Sequence, residues 1–111
     1  DHRVGTIALA GYMLILSPAF IQRWRGRILN IHPSLLPRHK GLDTHARVLA
    51  AGDAVSGCTV HLVSEELDSG DVIAQAEVPV EPGDDAAKLA ARVLNAEHRL
   101  YPKALSEFVR R

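Results

Sequence analysis

Apolar runs separated by turn-forming residues divide the chain into alternating strands and helices. Residues 6–11, "TIALAG", form an apolar run closed by glycine, the pattern of a buried strand. Ser17 and Pro18 then stand as N-cap and first helical residue, and the helix they open runs to about Arg25 and stops at Gly26. "RILNIH" is the next strand, and its unbroken apolar character before Asn30 predicts burial on both faces. Strand, helix and strand in this order make a βαβ unit, with parallel strands and a right-handed crossover. "LLPRHKGLD" reads as a loop in which Asp43 caps a short helix, "THARVLAA", ended by Gly52. "GCTVHLV" alternates, placing Cys58, Val60 and Leu62 on one face and Thr59, His61 and Val63 on the other. The loop "SEELDSG" leads to a further strand, "DVIAQAEVPV". After the Pro82-Gly83 turn, Asp84 and Asp85 open a helix expected to run to about Tyr101 and halt at Pro102. The pattern predicts an α/β fold in which residues 1–111 form a single domain, with a mixed, mainly parallel sheet flanked by helices.

Composition narrows the possible functions. Of the 111 residues 47% are hydrophobic, enough for one modest core. Basic and acidic residues both number 13, so no charge excess argues for nucleic acid or an anionic membrane. The apolar run "IALAGYMLIL" is too short to span a bilayer and is broken by Gly11. No basic leader marks secretion, and a lone cysteine, Cys58, excludes an internal disulfide and reads as a small buried hydrophobe. The expected location is the cytoplasm. The chain opens on "DHRVGTIALAG", with a strand-like run almost at once and no initiator methionine, as a piece of a longer protein would.

Chemistry concentrates in "LNIHPSLLPRHKG". Asn30 and His32 lie two apart on a strand, so both project to one face just where Pro33 takes the chain out of the sheet. Ligands of open α/β sheets bind beyond the carboxyl ends of strands. Thr59 and His61 share a face of a neighbouring strand, and Asp68 lies on a loop able to reach the same rim. An amide donor, an imidazole, a hydroxyl and a carboxylate together suit acyl transfer through a tetrahedral adduct: the amide binds the oxyanion and the imidazole moves a proton. Each also has a structural use, since Asn before a turn bonds its own backbone and Asp68 before Ser69-Gly70 forms turns. His39, His45 and His98 read as surface residues. No histidine pair has zinc-site spacing, so no metal is expected. On the last helix Glu97 falls within the apolar stripe Ala86, Leu89, Val93 and Leu100, where a carboxylate needs a cation, a ligand amine or access to water.

"AGYMLILSPAF", "GRILNIHPSLLPRHKGLDTHARVL", "GCTVHLVSEELDSGDVIAQAEVPV" and "AEHRLYP" together resemble the glycinamide ribonucleotide transformylases, folate-dependent formyltransferases of purine synthesis. The resemblance covers nearly the whole chain in order. It implies the formyltransferase variant of the Rossmann-like fold and transfer of a formyl group from 10-formyltetrahydrofolate to the amine of glycinamide ribonucleotide. By position, Asn30 would hold the formyl oxygen, His32 would act on the adduct, and Asp68 would assist through His32 or a water. Met13, Leu14, Ile15 and Leu16, with the loop Glu65, Glu66, Leu67, Asp68, Ser69 and Gly70, would line the pterin pocket. Thr59, His61 and Glu97 would lie on the substrate side, Glu97 meeting the amine. The Leu36–Pro37 peptide would be cis.

The chain departs from the family pattern in three places. Leu14 stands where the family has Arg, and "LDSGD" stands where it has "LDGGP". The Gly-rich phosphate loop of the family's N-terminal half has no counterpart here. The resemblance therefore implies the C-terminal, catalytic and folate-side half. An isolated half would expose residues 6–11 as an edge strand, so self-association through that strand, or pairing with the other half, is expected. Methionyl-tRNA formyltransferases and formyltetrahydrofolate deformylases share the Asn, His and Asp. The first have a "GAAP"-like segment where this chain has "GLDTH", and the second carry His in place of Pro33. A non-catalytic assembly fragment is the alternative from another class.

Overall fold

The computed structural model describes residues 28–64 and 70–108 in full, and residues 7–9 and 109 by their backbone. The strands are β1 (Ile7–Leu9), β2 (Ile28–His32), β3 (Val55–Leu62) and β4 (Val72–Pro79), and the helices are α1 (Thr44–Ala50) and α2 (Ala86–Val109). They form one four-stranded sheet in the order β1-β2-β3-β4. The helix expected after Ser17 lies outside the described residues.

β1 and β2 are parallel, as the βαβ pattern requires. The expectation of a mainly parallel sheet fails, because β2 pairs antiparallel with β3, and β3 antiparallel with β4. For the β3–β4 pair the reason is connection length. Only a short loop joins β3 to β4, and so short a link can only turn the chain back beside itself, whereas a parallel pair needs a long crossover.

Alternation along the strands separates two kinds of side chain. On one face of the sheet Leu29, Ile31, Cys58 and Val60 form a cluster with Leu89, Val93, Ala96 and Ala104 of α2. Leu29, Cys58, Val60, Leu89 and Val93 have no more than 1% exposure, so this layer is the core. Burial in it pushes the Cys58 thiol up to about 11, aided by the charge of Glu97. Ala86, expected on the stripe, is exposed, and Ala96 and Ala104 take the inward positions instead.

α2 starts as its sequence predicts. The Asp85 carboxylate accepts the Lys88 N–H at 2.7 Å, an N-cap bond. Asp84 accepts the Glu81 N–H at 2.8 Å and pairs with both terminal nitrogens of Arg92, at 2.8 and 2.9 Å. These partners hold its carboxyl at about 2, the Arg92 bond contributing most. The helix does not halt at Pro102, however; it continues through it to Val109. Pro102 removes one backbone donor, but it lies on the exposed side, where solvent can satisfy the carbonyl left over. Ala104, Leu105 and Phe108 beyond it pack on the core and carry the helix onward. α1 also differs in detail. Asp43 is its N-cap residue but has a left-handed backbone (φ 57°), and its side chain makes no capping bond.

Candidate active site

β2 ends in the segment that bears the candidate chemistry. The antiparallel register sets Asn30 opposite His61 and His32 opposite Thr59, so all four side chains lie on the face away from the apolar core. Three of them are as buried as core residues: Thr59 has 0% exposure, His32 1% and His61 2%. Buried polar groups need partners, and here the partners define the geometry.

The Thr59 hydroxyl donates to the Ser34 carbonyl at 2.7 Å and accepts from the Leu36 N–H and from Gln75 Nε2, each at 3.0 Å. Its bonding capacity is filled by the protein itself. Gln75, across the sheet on β4, donates also to the Leu36 carbonyl at 2.9 Å. Thr59 and Gln75 thus support the loop that carries the cis Leu36–Pro37 peptide. Ser34, fully buried, closes the loop from within by donating to the Arg38 carbonyl at 2.6 Å.

The imidazoles are oriented by backbone carbonyls. A carbonyl can only accept, so His61 Nδ1 donates to Leu62 O at 3.0 Å, and its Nε2 is left to accept from the Asn30 amide at 3.4 Å. By the same logic His32 Nε2 donates to His39 O at 2.9 Å, which makes Nδ1 the ring nitrogen able to take up a proton. Gly70 closes the far side: a Cβ there would overlap the Leu62 carbonyl, so only glycine lets the chain pass.

A cavity of about 470 Å³ opens at this end of β2. Asn30, His32 and Pro33 line one wall, residues 41–45 another, and Ala90, Leu94 and Glu97 of α2 a third. Glu97 is half-buried, and that burial raises its carboxyl above the ordinary range while His98 pulls it partly back. The structure therefore brings Asn30, His32 and Glu97 to one cavity from two separate elements. Thr59 and His61 stand beside it in the supporting network. Asp68, with Glu65, Glu66, Leu67 and Ser69, and the segment Met13 to Leu16 lie outside the described residues.

Two histidines assigned to the surface are not there. His45 lines the cavity, and burial, together with the neighbouring His32, lowers its pKa. His39 is half-buried and donates from Nε2 to Asp53 at 2.7 Å. Neither had a local signal: His39 is bonded by Asp53, distant in sequence, and His45 sits in the first turn of α1 against the cavity. Among the described residues no cluster of three His, Cys, Asp or Glu side chains could hold a metal ion, and no helix is long and apolar enough to cross a membrane.

Comparison with known proteins gives the class of protein in which this cavity lies. Residues 1–105 match the formyl transferase family model, and the chain belongs to that family. More particularly, it is 53% identical over 102 residues to phosphoribosylglycinamide formyltransferase of Escherichia coli, covering 92% of this chain and 48% of that protein. It is 56% identical to the trifunctional purine biosynthetic protein adenosine-3 of Gallus gallus, over 95% of this chain and 10% of that protein. A crystal structure of phosphoribosylglycinamide formyltransferase from Brucella melitensis superposes with a TM-score of 0.87 at 62% identity, covering 94% of this chain and 53% of that one. The chain thus spans about half the length of the bacterial formyltransferases it matches and about a tenth of the trifunctional protein.

Proposed function

We propose that these 111 residues carry the catalytic, folate-side part of a phosphoribosylglycinamide formyltransferase, as one domain whose phosphate-binding part lies outside them. The reaction is transfer of the formyl group of 10-formyltetrahydrofolate to the amine of glycinamide ribonucleotide. The observation that carries this reading is the convergence of Asn30, His32 and Glu97 on one cavity in a chain of this family.

The amine nitrogen attacks the formyl carbon, and the carbonyl oxygen gains the charge. The Asn30 amide, presented at the strand end and braced by His61, donates to that oxyanion. Collapse breaks the bond to the folate nitrogen, and the proton lost by the amine passes to that leaving nitrogen. His32 serves this transfer, with Asp68 acting through it or through a water. Glu97 meets the substrate amine. Met13 to Leu16 and Glu65 to Gly70 receive the pterin.

The same reading places the protein in the cytoplasm, with the two small molecules as partners and neither nucleic acid nor membrane. It predicts association through residues 6–11, by strand pairing between copies or with the phosphate-binding part. β1 pairs only with β2 in the described sheet, which supports an edge available for pairing. The test is a turnover assay with both substrates, using the chain together with the segment that precedes it in its relatives. Formylated ribonucleotide is the expected product. Formate released without ribonucleotide would mark a deformylase, and no reaction would overturn the proposal.

A further inference from the structure

His32 owes its ring orientation to a carbonyl on a residue whose backbone is itself unusual. His39 has φ 54°, in the left-handed region that a non-glycine residue occupies only when its surroundings hold it there. Two groups anchor this stretch: the Ser34 hydroxyl, within 2.6 Å of the Arg38 carbonyl and 3.4 Å of the His39 carbonyl, and the carboxylate of Asp53, just past α1. One carboxylate oxygen accepts from His39 Nε2 at 2.7 Å and the other from Arg38 Nη2 at 2.8 Å. The Asp53 side chain is only 8% exposed, and its own N–H is tied to the Val48 carbonyl at 3.2 Å, so the anchor is fixed to α1. The carboxylate is therefore bonded to two successive residues of the loop, and the second offers its carbonyl to His32 Nε2 at 2.9 Å.

We infer that Asp53 is a positioning residue for His32: by pinning Arg38 and His39 it sets the carbonyl that keeps the His32 proton on Nε2 and Nδ1 proton-accepting. A neutral imidazole has two tautomers of similar energy, and the bond made by one nitrogen selects the role of the other. Asp53 does not itself line the cavity with His32, and its carboxylate bonds reach His32 through the loop. Its importance for turnover rests on the formyl-transfer reading, but its control of the tautomer does not.

The test is long-range proton–nitrogen NMR of the imidazoles in the full 111-residue chain, above the histidine titration range, with His32 assigned by the signals lost in His32→Gln. The wild-type ring should show Nε2 as the protonated nitrogen and Nδ1 as the bare one. In Asp53→Asn, which keeps the volume, the amide nitrogen cannot accept from Arg38 and can bond His39 only if that ring changes tautomer, so the charged two-point tether is weakened. The two His32 nitrogen shifts should then move toward each other as the second tautomer becomes populated, and more so in Asp53→Ala. A wild-type ring protonated on Nδ1, or an unchanged His32 signature in folded Asp53→Asn and Asp53→Ala, would overturn the inference. Loss of the fold in both would make Asp53 a folding residue and overturn it equally. In the turnover assay Asp53→Asn should lower kcat roughly tenfold with KM little changed, as loss of an orienting partner does. If the wild type shows no turnover, the formyl-transfer reading fails while the NMR result still decides the role of Asp53.

Discussion

The two faces of the β2–β3 pair are buried to the same degree and built from opposite chemistry. Leu29, Cys58 and Val60 on one face and Thr59 on the other all have 0% exposure. The first set is buried because removing apolar surface from water is favourable, and it asks only for shape. The second is tolerated in the interior because Thr59, His32 and His61 have directional partners. Those partners are loop carbonyls and amides, so burial on the polar face specifies where the loop runs. Damage to the apolar face should therefore appear as lost stability, and damage to the polar face as lost geometry.

The sharpest separation comes from substitutions at the cavity. In the complete enzyme His32→Ala should lower kcat by about 10²–10⁴ and Asn30→Ala by about 10²–10³, with little change in folate affinity. Near-wild-type turnover in either would remove that residue from the chemistry. On the apolar face, Leu89→Ala should cost about 2–5 kcal/mol of unfolding free energy. Urea titration beside Leu94→Ala, at a residue 48% exposed, is the control. Equal losses would mean that α2 does not seal the core as described.

Thr59→Val keeps the shape and leaves the Leu36 N–H, Gln75 Nε2 and the Ser34 carbonyl without their hydroxyl partner. A cost of about 1–3 kcal/mol is expected, with shifted amide signals confined to residues 34–39. Shifts spread evenly over the core would contradict the division between the faces.

Glu97 lies at the border of the apolar layer and the cavity, and its raised pKa means that the folded state disfavours its charge. The stabilising contribution of its protonated form is fully present below the unfolded carboxyl value and is lost as pH rises through the folded one. Glu97→Gln should therefore raise Tm near neutral pH, and the gain should vanish under acid conditions. The same variant should weaken ribonucleotide binding and spare folate binding. Equal losses for both ligands would return Glu97 to a structural role.

The smallest effect belongs to the surface cluster at the start of α2. The Asp84 carboxyl is depressed to about 2, so its contribution is present above the unfolded value of about 3.9 and is lost as pH falls through the folded one. Acid unfolding of Asp84→Asn should be less steep than that of the wild type between about pH 4 and pH 2. Identical curves would show that the Arg92 pair adds nothing, as many surface pairs do.

Much of this was legible along the chain because it depends on neighbours a few residues apart. The positions of β2, β3, β4 and both described helices follow apolar periodicity and turn residues, and the shared face of Asn30 and His32 follows from their spacing on a strand. The Asp85 cap and the burial of Cys58 are equally local, set by the residue's type and its immediate pattern. Tertiary structure decided the rest, where distant segments compete or cooperate. Packing of Ala104, Leu105 and Phe108 outweighed the local break at Pro102, and a short connection turned β4 antiparallel. Thr59, Gln75 and Asp53 reached across the sheet and α1 to shape the loop after β2 and draw His39 inward, and the packing of α1 set His45 against the cavity. Periodicity reports which face a side chain takes; a hydrogen bond between residues far apart in sequence exists only once the chain has closed around it.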